Sequence, residues 1–256
     1  MSEPSGSGPR VDCHVKLLDE RVVARAQRRG LDVLVYAPHF TRWPEIRERA
    51  ERFSDEDLLI VPARELFTGA WGDRKHVLAL DLEAPIPDYL TFEGTLAELE
   101  RQGAVVLAPH PEFATVSVDV IDLNRHSGAF HAVEAYNPKH RASHNRRARE
   151  IAMETGLPAF GSSYAHLRRT VGEVWTTFET TIDTPEDLHD ALRSGVPRRV
   201  FRRSGPRHRL RRATEFAHLG WENSVEKVDR IVLSGREATH PRHLAYEGRF
   251  DDVAVY

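Results

Sequence analysis

Short apolar runs recur along most of the chain and alternate with longer segments in which apolar residues repeat at helical spacing. The short runs predict β-strands at residues 11–15, 31–36, 58–63, 75–82, 105–108, 132–136, 157–161 and 174–182. The longer segments predict helices at residues 18–29, 43–53, 92–102, 116–125, 139–155 and 184–193. This alternation of strand and helix predicts an α/β protein with a mostly parallel, closed sheet.

Three of the predicted strands run directly into a histidine. His39 follows the strand at 31–36, His110 follows the strand at 105–108, and His166 follows the strand at 157–161. The carboxyl ends of barrel strands meet at one face, and α/β barrels place their chemistry there. We therefore expect these three histidines to share one site.

The length of 256 residues favours one barrel over two separate domains. Residues 1–10 are rich in Ser, Gly and Pro and predict a loose tail, and residues 11–195 predict the barrel domain. Residues 196–256 predict an Arg-rich extension that packs on or completes the barrel, with a helix at 207–221. The segment from residue 234 to the end has no clear period and predicts no element.

The amino-acid composition excludes few classes of protein. The net charge of −3 selects no partner, whereas the 14 histidines favour ligand or proton chemistry. Cys13 is the single cysteine, so no internal disulfide can form, which is typical of a reducing, cytoplasmic compartment. No apolar run reaches the roughly 18 residues of a membrane span, so we expect no membrane partner.

A set of histidines and one carboxylate lies at or near the predicted strand ends. Imidazole and carboxylate together suit zinc, manganese or iron. A single histidine such as His110 before Pro111 more often simply ends a strand, but its co-occurrence with Glu65 and His76 favours a metal site. Cys13 faces away from His14 along the strand and is interpreted as core packing. The full candidate set is His14, His39, Glu65, His76, His110 and His166.

The order of these residues resembles the polymerase and histidinol phosphatase (PHP) family of metal-dependent phosphoesterases. That family opens with Asp-x-His-x-His and continues with a strand ending in Asp-His, a lone Glu, a His that begins the next strand, a strand ending in His-Pro, and Ser-Asp-Ala-His. The resemblance extends over residues 11–182 and includes a strand similar to the family's Glu-x-x-Asn. The matching positions here are Asp12–Lys16, Pro38-His39, Glu65, His76, His110-Pro111, Glu134–Asn137 and Ser163–His166.

The resemblance implies a distorted (β/α)7, TIM-like barrel that holds up to three metal ions. The second metal position would take Glu65, His76 and His110, all of which are present. The first position would keep only His14 and Glu65, because Lys16 replaces a histidine and Tyr164 replaces an aspartate. The third would keep only His39 and His166, since residues 17–22 contain no histidine. We therefore expect fewer than three ions.

The two replacements have a physical interpretation. Removing an aspartate deletes a negative charge, and Lys16 supplies a fixed positive one, so its ammonium group is predicted to stand where a cation stood and to pair with Glu65. Tyr164 is interpreted as a bulky group that fills the lost metal position, with a phenolic ligand or acid as the alternative. The simpler alternative for both is a site that is decaying.

Polar groups near the strand ends are candidates for substrate binding. Arg168 and Arg169 follow His166 and would either receive a phosphate or begin a solvated helix. Asn137, with Glu134, is a candidate substrate-facing or supporting group. The arginine run at 198–212 is a candidate nucleic-acid contact, although charge runs are more often solvated faces. Its members are Arg198, Arg199, Arg202, Arg203, Arg207, Arg209, Arg211 and Arg212.

Two functions remain open at this point. In the first, the chain is a hydrolase in which Glu65, His76 and His110 bind a metal, while His39, His166 and Lys16 assist catalysis. Its substrate would be a phosphorylated small molecule or a nucleic-acid 5′ end, with exonuclease and nucleotide phosphatase activities in range. In the second, the barrel is catalytically degenerate and binds nucleic acid or protein. A lyase or amidohydrolase that uses the same metal on carbon is a third alternative.

Overall fold

The computed structural model describes residues 8–70, 72–113, 116–221 and 238–255. The strands are β1 Arg10–Val15, β2 Val33–Tyr36, β3 Leu59–Thr68, β4 Lys75–Leu80, β5 Val105–Ala108, β6 Ala132–Tyr136, β7 Ala159–Gly161, β8 Val174–Phe178 and β9 Arg198–Arg202. The helices are α1 Glu20–Arg28, α2 Trp43–Phe53, α3 Phe92–Arg101, α4 Val120–Arg125, α5 Ala142–Thr155, α6 Pro185–Arg193 and α7 Pro206–Trp221. Most of the tail predicted at 1–10, namely residues 1–7, lies outside the described residues, as do residues 234–237 and 256 of the unassigned segment.

The strands form one sheet in the order β7-β6-β5-β4-β3-β2-β1-β8-β9. The sheet curls back on itself, since Ala165, just after the edge strand β7, forms a parallel bridge with Val15 of β1. The Lys16 amide also donates to the Ala165 carbonyl over 2.9 Å. The predicted α/β barrel is confirmed as a nearly closed, barrel-shaped sheet.

The prediction of a mostly parallel sheet is wrong, since antiparallel ladders are as frequent as parallel ones in the described sheet. The connection between β3 and β4 is too short for a crossover helix, so the two strands pair as a hairpin. Their pairing continues to Thr68 and Lys75, which lengthens β3 beyond the predicted end at residue 63. Glu65 therefore lies within a strand and not past its end.

Alternate residues of the strands face the inside of the barrel and form one apolar cluster. Val33, Val35 and Ala37 are typical members, and Cys13 is buried in the same cluster. Helix α6 closes one end of this interior through Leu188 and other apolar residues. The other apolar cluster lies largely between the sheet and the surrounding helices. Because α6 closes one end, polar side chains gather at the opposite end.

The sequence sets the start of α6 locally. Thr184 accepts a hydrogen bond from the Asp187 amide over 3.2 Å, and Asp187 accepts one from the Thr184 amide over 2.8 Å. Pro185 occupies the first turn, where its missing N–H costs no hydrogen bond. This capping box confirms the helix start predicted at residue 184.

The Arg-rich extension continues the sheet with β9, which the sequence analysis did not predict, and then forms α7. Several guanidinium groups of the arginine run already have hydrogen-bond or ion-pair partners within the protein. Arg198, Arg203 and Arg212 donate to backbone carbonyls, and Arg211 pairs with Glu173. Four other members are exposed, namely Arg199, Arg202, Arg207 and Arg209.

The final described segment, 238–255, packs against the turn that precedes α3. Thr91 donates its amide to Val253, and Val255 donates to Tyr89 over 2.7 Å. Leu90 forms a bridge with Ala254. No helix in the described ranges is both long and apolar enough to span a lipid bilayer.

Candidate metal centre

Glu65 is the centre of the polar group at the open end of the barrel. Its carboxylate is fully buried, and β3 directs it inward. Oε2 accepts from the Lys16 ammonium and lies 2.7 Å from His39 Nε2, while Oε1 lies 3.0 Å from His110 Nε2. Burial alone would raise the pKa of Glu65, but Lys16 and the surrounding histidines outweigh it and hold that pKa well below its usual range. Glu65 is therefore an anion with several competing partners.

Glu65, His76 and His110 each offer a ligand atom, and these atoms all lie within 4.8 Å of one another. Glu65 Oε1 is 3.0 Å from His110 Nε2 and 3.5 Å from His76 Nδ1. Ligand atoms at roughly 2.1 Å from zinc are about 3.4 Å apart in a tetrahedral site, so these separations suit a small divalent ion. Both ring nitrogens of His76 are buried without a hydrogen-bond partner among the described residues. The residues therefore fit a metal ion.

Three histidines around Glu65, namely His14, His39 and His76, are held in the neutral form. Burial, reinforced by Lys16, lowers the pKa of His39 to about 3. Burial also lowers the pKa of His76 and holds that of His14 well below its usual range. Neutral imidazole is the form that binds a metal, so the electrostatics of the site agree with its geometry.

A network behind His110 fixes its orientation. The His110 amide donates to Glu134 over 2.8 Å, and its Nδ1 lies 3.0 Å from the Ser117 hydroxyl. His110 has a φ of 33°, a conformation that costs a non-glycine residue about 1–3 kcal/mol. Glu134 is held in turn by the Asn137 amide at 3.0 Å and the Ser162 hydroxyl at 2.5 Å. Asn137, predicted to bind substrate, thus supports the backbone at His110.

Lys16 and Tyr164 occupy the region that the family pattern assigns to the first metal. The Lys16 ammonium donates to Glu65 and, over 2.7 Å, to the Ala37 carbonyl. It lies 5.4 Å from the centre of the Tyr164 ring. The His14 ring is 4.7 Å from that ring, and its Nε2 is 3.8 Å from Glu65 Oε2. A cation, a phenol ring and one histidine therefore surround this side of Glu65.

Lys139 is a second buried lysine at the site, and the sequence analysis missed it. Its ammonium contacts His166 Nδ1, lies 3.3 Å from Glu215 of α7, and lies 4.4 Å from the centre of the Tyr164 ring. Burial and Lys139 hold the pKa of His166 well below its usual range. One signal was available in the sequence. The chain has only four lysines, and Lys16 and Lys139 both follow an apolar strand.

The remaining predicted substrate groups are not brought to Glu65. The Arg168 guanidinium pairs with Asp19 over 2.6 Å at an exposed position, and the Arg169 carbonyl accepts from Arg25. His39 and His166 do approach the centre, with ring centres 5.5 Å apart. His39 is partly exposed, with 24% of its side chain accessible, so solvent reaches the centre from its side.

Comparison with known proteins agrees with this architecture. A family model described as PHP-associated matches residues 142–197, and the fold is similar to that of PsfC from Pseudomonas syringae. The similarity to PsfC has a TM-score of 0.65 at 22% identity and covers 82% of this chain and 98% of PsfC. The family match over residues 142–197 and the shared fold agree with the resemblance of the sequence to the PHP family. No curated protein matches the sequence.

Two other solved structures are similar in fold at lower identity. The lesion-specific endonuclease PfuEndoQ from Pyrococcus furiosus is 14% identical with a TM-score of 0.55, covering 75% of this chain and 57% of the endonuclease. An amidohydrolase from Chromobacterium violaceum is 12% identical with a TM-score of 0.52, covering 75% and 97% of the two chains. This chain thus spans little more than half of the endonuclease.

Proposed function

We propose that this protein is a metal-dependent phosphoesterase that uses Glu65, His76 and His110 to hold one divalent ion. The observation that carries the proposal is the buried convergence of these three side chains within 4.8 Å, at the end of the barrel opposite α6. Zinc, manganese and iron suit this donor set. A divalent ion in such a site acidifies a water molecule and polarises a phosphoryl oxygen.

The chain's own residues supply the rest of the chemistry. Lys16 places a fixed positive charge beside Glu65, which stabilises negative charge that develops on a phosphoryl group. His39, open to solvent on one side, is placed to contact the substrate, and His166 lies beside it. Tyr164 fills the space between the two lysines. The substrate is a phosphorylated small molecule or a nucleic-acid 5′ end.

The relatives support the reaction class through their shared fold. One relative is a lesion-specific endonuclease, and another is described as an amidohydrolase. Endonuclease chemistry is phosphodiester hydrolysis, which agrees with the proposal, whereas the amidohydrolase keeps chemistry at carbon open as an alternative. A screen should therefore include phosphomonoesters, phosphodiesters and amides.

Metal content is the first test of the proposal. We expect protein purified without chelator to contain about one zinc, manganese or iron per chain, and the His110→Ala variant to contain almost none, because a ligand is lost. Elemental analysis by mass spectrometry measures both. His126→Ala, which removes a histidine that packs on Phe92 away from the centre, is the matched control. Wild-type protein that takes up no metal even after soaking would contradict the proposal.

The Lys16 and Tyr164 replacements favour a second candidate, a degenerate barrel that only binds partners. If the enzyme is active, we expect Lys16→Ala to lower kcat at least tenfold, because a charge beside the phosphoryl group is lost. Lys75→Ala is the control, since the ammonium group of that lysine pairs with Asp122 and not with Glu65. If the wild type is inactive but binds metal, and Lys16→His with Tyr164→Asp gains activity, the degenerate barrel is the correct interpretation.

A further inference from the structure

A pocket of about 370 Å³ lies beside the metal centre, between the chain after β6 and helix α7. Its lining includes cationic side chains and one exposed aromatic ring, that of Phe216, whereas the His140 ring is buried. Lys139 belongs both to this pocket and to the centre, since its ammonium contacts His166. The principal lining residues are Lys139, His140, Arg141, Arg209, Arg212 and Phe216.

The pocket is electropositive without a matching acid in its lining. Arg141 and Arg209 are exposed, and the described residues place no carboxylate within ion-pair distance of either. Arg212 is held in place by the Pro138 carbonyl at 2.7 Å and the His140 carbonyl at 2.5 Å, neither of which neutralises its charge. Glu215, on the same helix, is buried against Lys139 and the Leu167 amide and is not part of the lining.

Two further features add to the positive potential of the pocket and indicate which ligand it binds. Arg141 is the N-cap of α5, and no side chain caps that helix, so the positive end of the helix lies at the pocket. Phe216 of α7 lines the pocket and is 50% exposed, so its ring is accessible to a ligand. Arginine forks bind phosphate oxygens, and an exposed ring offers a stacking surface to a base.

We propose that this pocket binds a nucleoside phosphate, with the phosphate on Arg141, Arg209 and Arg212 and the base on Phe216. The volume lies within the range of sites that enclose a small ligand, roughly 300–1,000 Å³. A single aromatic ring stacks a single base, so one nucleotide is held, either free or at the end of a strand. The inference rests on the proposed phosphoesterase and identifies its substrate class as nucleotides, because the pocket adjoins the centre at Lys139, whose ammonium contacts His166.

Binding without metal tests the pocket separately from hydrolysis. Titration calorimetry in the presence of EDTA would compare adenosine 5′-monophosphate with adenosine and with ribose 5-phosphate, using the full chain. We expect the nucleotide to bind at least tenfold more tightly than either fragment, because only it uses both the arginines and the ring. A 5′-phosphorylated pentathymidylate distinguishes the two sources. Tighter binding of the strand identifies a strand end, and equal or weaker binding identifies a free nucleotide.

Substitutions in the pocket test whether the nucleotide binds there. Arg141→Gln with Arg209→Gln is expected to weaken nucleotide binding at least tenfold. Phe216→Ala is expected to weaken it about five- to a hundredfold while leaving ribose 5-phosphate unaffected. Arg207→Gln is the matched control, since this arginine is exposed on the same helix but does not line the pocket. Unchanged thermal unfolding would establish that the variants fold.

The proposal is overturned if the nucleotide binds no more tightly than its two fragments, or if Arg207→Gln weakens binding as much as the pocket variants. Its failure is distinguishable from failure of the proposed function. Hydrolysis that survives the pocket variants with unchanged KM would reject the pocket alone. Nucleotide binding in EDTA by a protein that never binds metal would reject the phosphoesterase alone.

Discussion

Glu65→Gln is expected to remove metal binding and to lower kcat/KM by at least about a thousandfold. Glutamine keeps the size of the side chain but loses the charge, and charge is what attracts both the ion and the Lys16 ammonium. Two side chains would be left to hold the ion, and neither carries a negative charge. Elemental analysis and a phosphoesterase assay under saturating metal measure the two effects.

Glu112→Gln is the matched control for this variant. Glu112 carries the same charge, but its carboxylate is partly exposed and pairs with Arg147 at 2.9 Å. We expect its metal content and turnover to remain close to wild type. A Glu65→Gln protein that folds, retains one ion per chain and hydrolyses at the wild-type rate would contradict the assignment of the centre.

Glu173→Gln is expected to cause the largest loss of stability outside the centre, about 3 kcal/mol of unfolding free energy. Glu173 precedes β8, and its nearly buried carboxylate pairs with His208 and Arg211 of α7 and with Arg29 at the end of α1. Removing its charge would leave the Arg29 and Arg211 guanidinium groups clustered without their shared anion. In a chain of this size the change corresponds to a fall in Tm of roughly 6–12 °C by calorimetry.

The pH dependence of that loss has a defined sign. Burial opposes ionisation of Glu173, but His208 and the arginines outweigh it and lower its pKa below the usual value. The stabilisation is therefore present at neutral pH and is lost as the pH falls through the lowered pKa of the folded state. The difference between wild type and variant should shrink in acid. Glu45→Gln, which breaks an exposed pair with Arg42, should shift the free energy by less than about 1 kcal/mol.

Local patterns in the sequence determined most of the elements and the order of the candidate ligands. The capping box at Thr184 and the strands that end before His39 and His110 depend on neighbouring residues, so they can be recognised without tertiary information. The ordered histidines and Glu65 were enough to recognise a resemblance to the PHP family. Strand direction was different, because β8 pairs antiparallel with β1, which lies far from it in sequence, and the local pattern does not encode that contact.

Only the tertiary structure decided what the cations do. Lys139 meets His166 and Glu215, which lie far from it in sequence, and Arg212 reaches back to the carbonyls of Pro138 and His140. The arginine run predicted as a nucleic-acid contact is divided in the same way, since Arg211 is bound to Glu173 whereas Arg209 lines a pocket. A charged side chain takes its role from the partner that the fold brings within a few ångströms, and burial strengthens that pairing. The sequence therefore determined where the charges lie along the chain, and the fold determined which of them pair.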